Sequence, residues 1–130
     1  MMPHTLPTYG LLLARCLLAL IFLLNAVGVI DQAKPAQEMI ERGVPALIVP
    51  LLMWSGRMLQ LVAGLALLCG FRQRVAALAL IVFLVPATLI AHPFWLDHTA
   101  TRQLQLVQLM KNLAMIGGLL FVASVPEREE

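Results

Sequence analysis

The fold is decided by residues 44–91, which read VPALIVPLLMWSGRMLQLVAGLALLCGFRQRVAALALIVFLVPATLIA. Two long apolar stretches, 44–70 and 75–91, are separated by only the short segment 71–74. A helix needs about 20 apolar residues to cross a hydrocarbon core, because each residue rises about 1.5 Å. The pair therefore predicts two antiparallel transmembrane helices, with Gly70 as the C-cap of the first.

Two further apolar stretches, 11–30 and 104–124, lie outside this hairpin. Backbone groups in lipid must be hydrogen-bonded within their own segment, so all four stretches are expected to be helices. Short connections make neighbouring helices antiparallel. The sequence thus predicts an all-α fold, a transmembrane four-helix up-down bundle. We expect it to form a single domain over residues 1–130 and to have the lipid bilayer as its partner.

The composition excludes several other classes of protein. Hydrophobic residues make up 61% of the chain and charged residues 12%, against about 45–50% and about 25% in soluble domains. Disorder requires the opposite balance. The net charge is only +2 without a run of basic residues, so no nucleic-acid partner is expected. Cys16 and Cys69 lie in separate apolar stretches and are predicted to be unpaired.

The segments outside the spans carry the orientation signals. Residues 31–43 are charged and amphipathic, which is typical of a helix on the membrane surface.

Residues 1–10 contain no Lys or Arg, so 11–30 is interpreted as a retained span and not as a signal peptide. Arg72 and Arg74 lie in a very short turn, where the positive-inside rule acts strongly. Both termini are therefore predicted to be cytoplasmic.

Three cations, Arg15, Arg57 and Lys111, fall within the spans, whereas no Asp or Glu does. An intramembrane charge costs at least about 2.5–3.5 kcal/mol, so it usually has a partner or a function. Arg15 is close enough to a helix end to extend toward the headgroups. Arg57 is near mid-span and Lys111 about 10 Å below the surface, on helices that run in the same direction.

Other polar side chains gather in the same half of the predicted bundle. The candidate ligand-binding residues are Asn25, Arg57, Gln60, Gln108, Lys111 and Asn112, with His92 and Trp95 at the rim. One interpretation is a set of interhelical hydrogen bonds. The other is an outward-facing polar cavity with a positive floor, suited to an anion, a lipid headgroup or a quinone carbonyl. No metal site is predicted, because His92, His98 and Asp97 lack a ligand spacing, and no catalytic residue can be assigned.

Four short motifs resemble the DoxX family of small bacterial membrane proteins. Residues 111–120, KNLAMIGGLL, resemble the family's Lys-Asn-Leu-Ala and Gly-Gly-Leu-Leu signature, and residues 92–95, HPFW, resemble its His-x-Phe-Trp element. Residues 60–71, with Gly64 and Gly70, are similar to its second helix and the basic turn after it, and residues 43–45 to the start of that helix. The resemblance covers residues 11–124.

The resemblance implies a four-helix bundle in the bacterial inner membrane and a link to membrane redox chemistry. Some members are subunits of a thiosulfate:quinone oxidoreductase, and others are partners in thiol or oxidative-stress defence. It thus suggests an accessory subunit that binds quinone or an anion, with a redox-protein partner. The family often has Glu where this chain has Gln60, and Lys near Val29.

Two other interpretations of the function remain open. The chain fits a non-catalytic scaffold or lipid-interacting protein without redox chemistry. It also fits a small transporter, which would require a homo-oligomer.

Overall fold

The computed structural model describes residues 5–30, 33–91 and 99–127. Its helices are α1 (Thr5–Ala26), α2 (Ala33–Glu41), α3 (Val49–Cys69), α4 (Gln73–Ala91) and α5 (Thr99–Ser124). All except α2 are long and apolar enough to cross a membrane. The all-α fold, with four helices able to span a membrane, is therefore confirmed.

The four long helices form a closed ring. Helix α1 packs on α3, α3 on α4, α4 on α5, and α5 returns to α1. Within the described residues the backbones of the diagonal pairs, α1 with α4 and α3 with α5, do not approach each other closely. This is the predicted up-down bundle. The short helix α2 packs on α3 and α4, and we call that part of the molecule the α2 end; the opposite part, with the α3–α4 turn, is the Gly70 end.

The apolar core is concentrated toward the Gly70 end. Its fully buried side chains include Leu67 in the last turns of α3, Leu80 in α4, and Leu119 and Val122 in α5, packed around Phe22 of α1. Alanines fill much of the remaining core, which lets the helices approach closely. By contrast, large apolar side chains cover the outside of the bundle, as lipid contact requires.

Glycines mark the closest helix contacts. A Cβ added at Gly64 would lie 3.0 Å from Leu23 Cδ2 of α1, and one at Gly118 would lie 3.3 Å from Leu18 Cδ2. A Cβ at Gly56 would lie 2.9 Å from Phe83 Cε2 of α4. These small residues let neighbouring helices pack within one bundle, as the sequence predicts.

The bounds of the helices differ from the bounds of the apolar stretches in the sequence, and each difference has a physical reason. Helix α1 ends at Ala26 and not at residue 30, because Gly28 adopts a left-handed conformation with φ of 84°. Helix α3 starts at Val49 and not at residue 44, with Pro50 in its first turn, where proline is tolerated. Helices α1, α4 and α5 begin before their apolar stretches, since hydropathy detects the lipid-facing part of a helix and not its polar first turns.

Gly70 ends α3 as predicted. Its φ is 76°, and its N–H donates to the carbonyls of Ala66 and Leu67. The Arg15 guanidinium packs against this glycine, and its Nη1 donates to Gln73 Oε1 at 3.0 Å. The C-terminal end of a helix is partly negative, so it stabilises this cation without a carboxylate. Arg15 is thus stabilised by groups of the protein, whereas the sequence predicts that its side chain extends to the lipid headgroups.

Two further predictions concern the cysteines and α2. Cys16 and Cys69 are free, as expected. Residues 33–41 form a nine-residue helix, far shorter than the about 20 residues needed to span a bilayer. The Gln37 amide donates to Glu41 Oε1 along its exposed face. The position of α2 on the membrane surface remains a prediction.

The Gly70 turn supplies a test of the Arg15 contact. Gly70→Ala should lower the free energy of unfolding by about 1–2 kcal/mol for the left-handed backbone, plus about 1 kcal/mol when Arg15 is displaced from Gln73. Gly43→Ala carries only the backbone cost, because Gly43 has a φ of 90° and nothing within 4 Å of an added Cβ. Gly117→Ala, in open space within α5, should be neutral or stabilising.

Thermal melting in detergent measures this order. Gly70→Ala should melt lowest, Gly43→Ala next and Gly117→Ala highest. Equal melting of the Gly70 and Gly43 variants would show that the arginine contact contributes nothing.

Candidate functional site

A cavity of about 110 Å³ lies at the α2 end, between α2, α3 and α4. It exists because the tightly packed core lies toward the opposite end of the bundle. Three polar side chains, Glu38, Arg57 and Gln60, face it. The rest of its lining is apolar or small: Pro35, Met39, Leu52, Met53, Gly56, Phe83, Ala87 and Ile90.

Gln60 is the most deeply buried polar group of this cavity. Only 4% of its surface is exposed, although its side chain ends in a polar amide group. Its Nε2 donates to the Gly56 carbonyl, one turn earlier in α3, at 3.3 Å. Its Oε1 is buried and has no partner among the described residues. A buried acceptor without a donor is uncommon and costs about 1–3 kcal/mol.

Arg57 lies one turn from Gln60 on the same face of α3. Its side chain is half-buried, and its Nη2 approaches the end of α1 so closely that a Cβ at Gly28 would lie 2.7 Å away. The partly negative C-terminal end of α1 therefore stabilises the guanidinium. Its Nε–H is buried and has no acceptor among the described residues, so an unused donor accompanies the unused Gln60 oxygen.

The Gly70 end offers a direct comparison. There Arg15 also packs against a C-terminal glycine, but its Nη1 is bonded to the oxygen of the buried Gln73. Arg15 Nε is itself buried without a partner among the described residues, as Arg57 Nε is. Arg57 and Gln60 carry the same groups and line a cavity, but there the glutamine oxygen is buried without a partner among the described residues. A wider cleft of about 1030 Å³ lies at the Gly70 end and is lined in part by Arg15, Gln73 and Glu127.

Helix α2 supplies residues that the sequence analysis did not assign to the site. Pro35, Glu38 and Met39 line the cavity from one face of α2. Their spacing of three and four residues is the helical spacing of one face, so the amphipathic pattern of 31–43 contains the signal. Glu38 also brings a carboxylate into the cavity that Arg57 lines. The sequence analysis did not anticipate it, because Glu38 lies outside the spans.

Asn112 belongs to a different contact. Its Nδ2 donates to Thr88 Oγ1 at 3.0 Å, and Thr88 Oγ1 in turn donates to the Leu84 carbonyl at 2.6 Å. Thr88 is 3% exposed, and this chain of bonds joins α5 to α4. Sequence reasoning did not single out Thr88, since a threonine in an apolar span carries no distinctive pattern.

The structure thus separates the predicted site residues. Arg57 and Gln60 share the cavity, whereas Asn25, Gln108 and Asn112 are half-buried elsewhere and Lys111 is exposed. Lys111 lies on α5, whose backbone does not approach that of α3 closely within the described residues. His92 and Trp95 lie outside the described residues, as do Asp97 and His98. Ligand contact by any of the predicted residues stays a prediction.

The cavity has the composition of a small binding site. Ligand sites are mostly apolar, with a few polar groups that fix orientation. An apolar cavity of about 150 Å³ accommodates one benzene molecule, so a cavity of about 110 Å³ is comparable in size to a single small ring or ion.

Comparison with known proteins gives the family. The chain is 30% identical over 115 residues to "Inner membrane protein YqjF" of Escherichia coli (strain K12), which covers 88% of this chain and 82% of that relative. No solved structure matches. The DoxX family profile matches residues 10–93, so it includes Arg57 and Gln60 and stops before the 111–120 motif. The chain is therefore an integral membrane protein that belongs to the DoxX family.

Proposed function

We propose that this protein is an accessory subunit of a membrane redox or oxidative-stress system, and that its α2-end cavity binds a quinone or a small anion. The observation that carries the proposal is that Arg57 and Gln60 line one cavity, and that each has a buried polar atom without a partner among the described residues. The family resemblance supports the redox context. The Escherichia coli relative is named as an inner membrane protein, which supports the inner membrane as the location.

Energetics favour a polar occupant. Nearly all buried polar groups in proteins have a hydrogen-bond partner. Two unpaired groups beside one small cavity would together cost about 2–6 kcal/mol, and a bound ligand toward which the two side chains turn would recover part of that cost. Arg57 also contributes a positive potential, which attracts an anion or a quinone oxygen.

A co-purified ligand is the first test. Wild-type protein purified in mild detergent should carry a quinone or an anionic small molecule, detected by mass spectrometry. Arg57→Leu should lose it, because the donor and the positive charge are both removed. Arg15→Leu is the matched control, since it removes a half-buried arginine from the other end of the bundle, and it should retain the ligand.

Each variant is checked by thermal melting, so that loss of ligand is separated from loss of fold. A ligand retained by a folded Arg57→Leu protein, or no ligand in any sample and no binding of added quinone or anion, would contradict the proposal. Lys111→Leu in the same series tests whether the exposed lysine belongs to the site.

Both termini are proposed to be cytoplasmic, so the α2-end cavity would lie toward the outer face of the membrane. Green fluorescent protein fused after residue 130 should then fluoresce in cells, while alkaline phosphatase at the same position should be inactive. The reverse pair of results would place the cavity on the cytoplasmic side.

A non-catalytic scaffold or lipid-interacting protein is the second candidate function. The Asn112–Thr88 contact favours it, because there a predicted site residue serves helix packing. In this case Asn112→Leu should lower the melting temperature, in line with an interhelical bond of about 0.6 kcal/mol. Partner pull-down and ligand content should be unchanged.

A double-mutant cycle with Thr88→Val isolates that bond. Additive effects of the two substitutions would show that Asn112 does not act through Thr88. Loss of partner or ligand binding with unchanged melting would count against the scaffold function.

A further inference from the structure

We infer that the cleft at the Gly70 end binds the headgroup of an anionic phospholipid through Arg15 and Arg72. The cleft lies where the start of α1, the α3–α4 turn and the residues after α5 meet, and its volume is about 1030 Å³. Binding sites for small molecules typically measure about 300–1,000 Å³, so the cleft has room for a headgroup and the start of an acyl chain. The inference is independent of the ligand proposed for the α2 end.

Two arginines form the cationic part of the cleft. Arg15 of α1 is half-buried, and its Nη1 donates to Gln73 Oε1 at 3.0 Å, so its guanidinium is held in position before a ligand binds. Arg72 lies in the α3–α4 turn and is exposed. A guanidinium stays protonated, and its fork of N–H groups matches the oxygens of a phosphate. The pair is therefore suited to a phosphate group.

Among the described residues that line the cleft, one acidic side chain, Glu127, opposes these cations. Its Oε1 accepts a hydrogen bond from the backbone N–H of Arg74 at 3.0 Å, in the first turn of α4. Two arginines against one glutamate leave the lining with a net positive charge. This balance favours a headgroup with a net negative charge over a zwitterionic one.

The apolar walls connect the cleft to the lipid around the bundle. Leu12 of α1 and Phe121 of α5 line the cleft and are also exposed on the outside of the bundle. In the described part of the chain, the backbones of α1 and α5 approach closely over a shorter length than those of the other neighbouring long helices. A phospholipid fits this combination, because its phosphate meets the arginines while an acyl chain follows the apolar side chains. A free phosphate would use only the arginines.

Lipid selectivity measured by native mass spectrometry tests the inference. Full-length protein in detergent is mixed with equal concentrations of phosphatidylglycerol and phosphatidylcholine that have identical acyl chains. Wild type should bind phosphatidylglycerol about fivefold more tightly, which corresponds to one basic residue near a charged headgroup. Inorganic phosphate at the same concentration should not displace the lipid, because it gains nothing from the apolar walls.

Arg72→Gly separates binding from folding. Arg72 has a φ of 43°, a left-handed conformation that glycine adopts more readily. The variant should therefore melt no lower than the wild type, although it loses the contact of the guanidinium with the Phe71 ring at 6.0 Å. It should bind phosphatidylglycerol about fivefold more weakly. Lys111→Gln removes an exposed cation that does not line the cleft, and it should keep the wild-type preference.

Glu127→Gln should change the affinity in the opposite direction. The amide oxygen can still accept from the Arg74 N–H, whereas the negative charge is removed. Phosphatidylglycerol should then bind more tightly than to the wild type. Weaker binding of phosphatidylglycerol by this variant would contradict the charge balance on which the inference depends.

Three other results would overturn the inference. They are equal binding of the two lipids by the wild type, displacement of the lipid by inorganic phosphate, and an unchanged preference in a folded Arg72→Gly protein. The result is separable from the proposed function. A protein that prefers phosphatidylglycerol but binds neither quinone nor a small anion at the α2 end would contradict the proposed function alone.

Discussion

The structure depends on how two arginines are stabilised inside a membrane whose spans contain no carboxylate. Each lies against the end of the neighbouring antiparallel helix: Arg15 of α1 at Gly70, and Arg57 of α3 at Gly28. Both glycines are left-handed, and each ends a helix whose last carbonyls carry partial negative charge. Helices α1 and α3 thus stabilise each other's arginine, and in the described part of the chain neither cation needs a salt bridge for this.

The surroundings of the two arginines differ between the two ends of the bundle. At the Gly70 end the arginine also bonds a buried glutamine, and the core around Leu67 and Leu80 is dense. At the α2 end the helices line a cavity instead, and the Gln60 oxygen is buried without a partner among the described residues. One half of the bundle is therefore densely packed, and the other half holds the cavity that we propose as a ligand site.

Much of the fold could be predicted from residue patterns. Length and hydropathy identify the four spans, and Gly70 is placed correctly because a glycine after an apolar helix has a specific physical role. Arg57 and Gln60 stand out because polar groups in lipid are costly. The separation of Lys111 from Arg57 could not be foreseen. Sequence position gives the depth of a residue along its helix. The neighbours of its side chain depend on how the helix is rotated about its axis and on the order of the helices around the bundle. Glu38 was missed because it lies outside every span.

One wall of the cavity is a helix that does not cross the membrane. In its predicted surface position, α2 is supported by α3 and α4 on one side and by lipid headgroups on the other. Its depth then follows the thickness and curvature of the leaflet, whereas α3 and α4 are fixed by the core. The dimensions of the cavity are in that case a joint property of the protein and its bilayer, so that lipid chain length would tune the site while every residue stays the same.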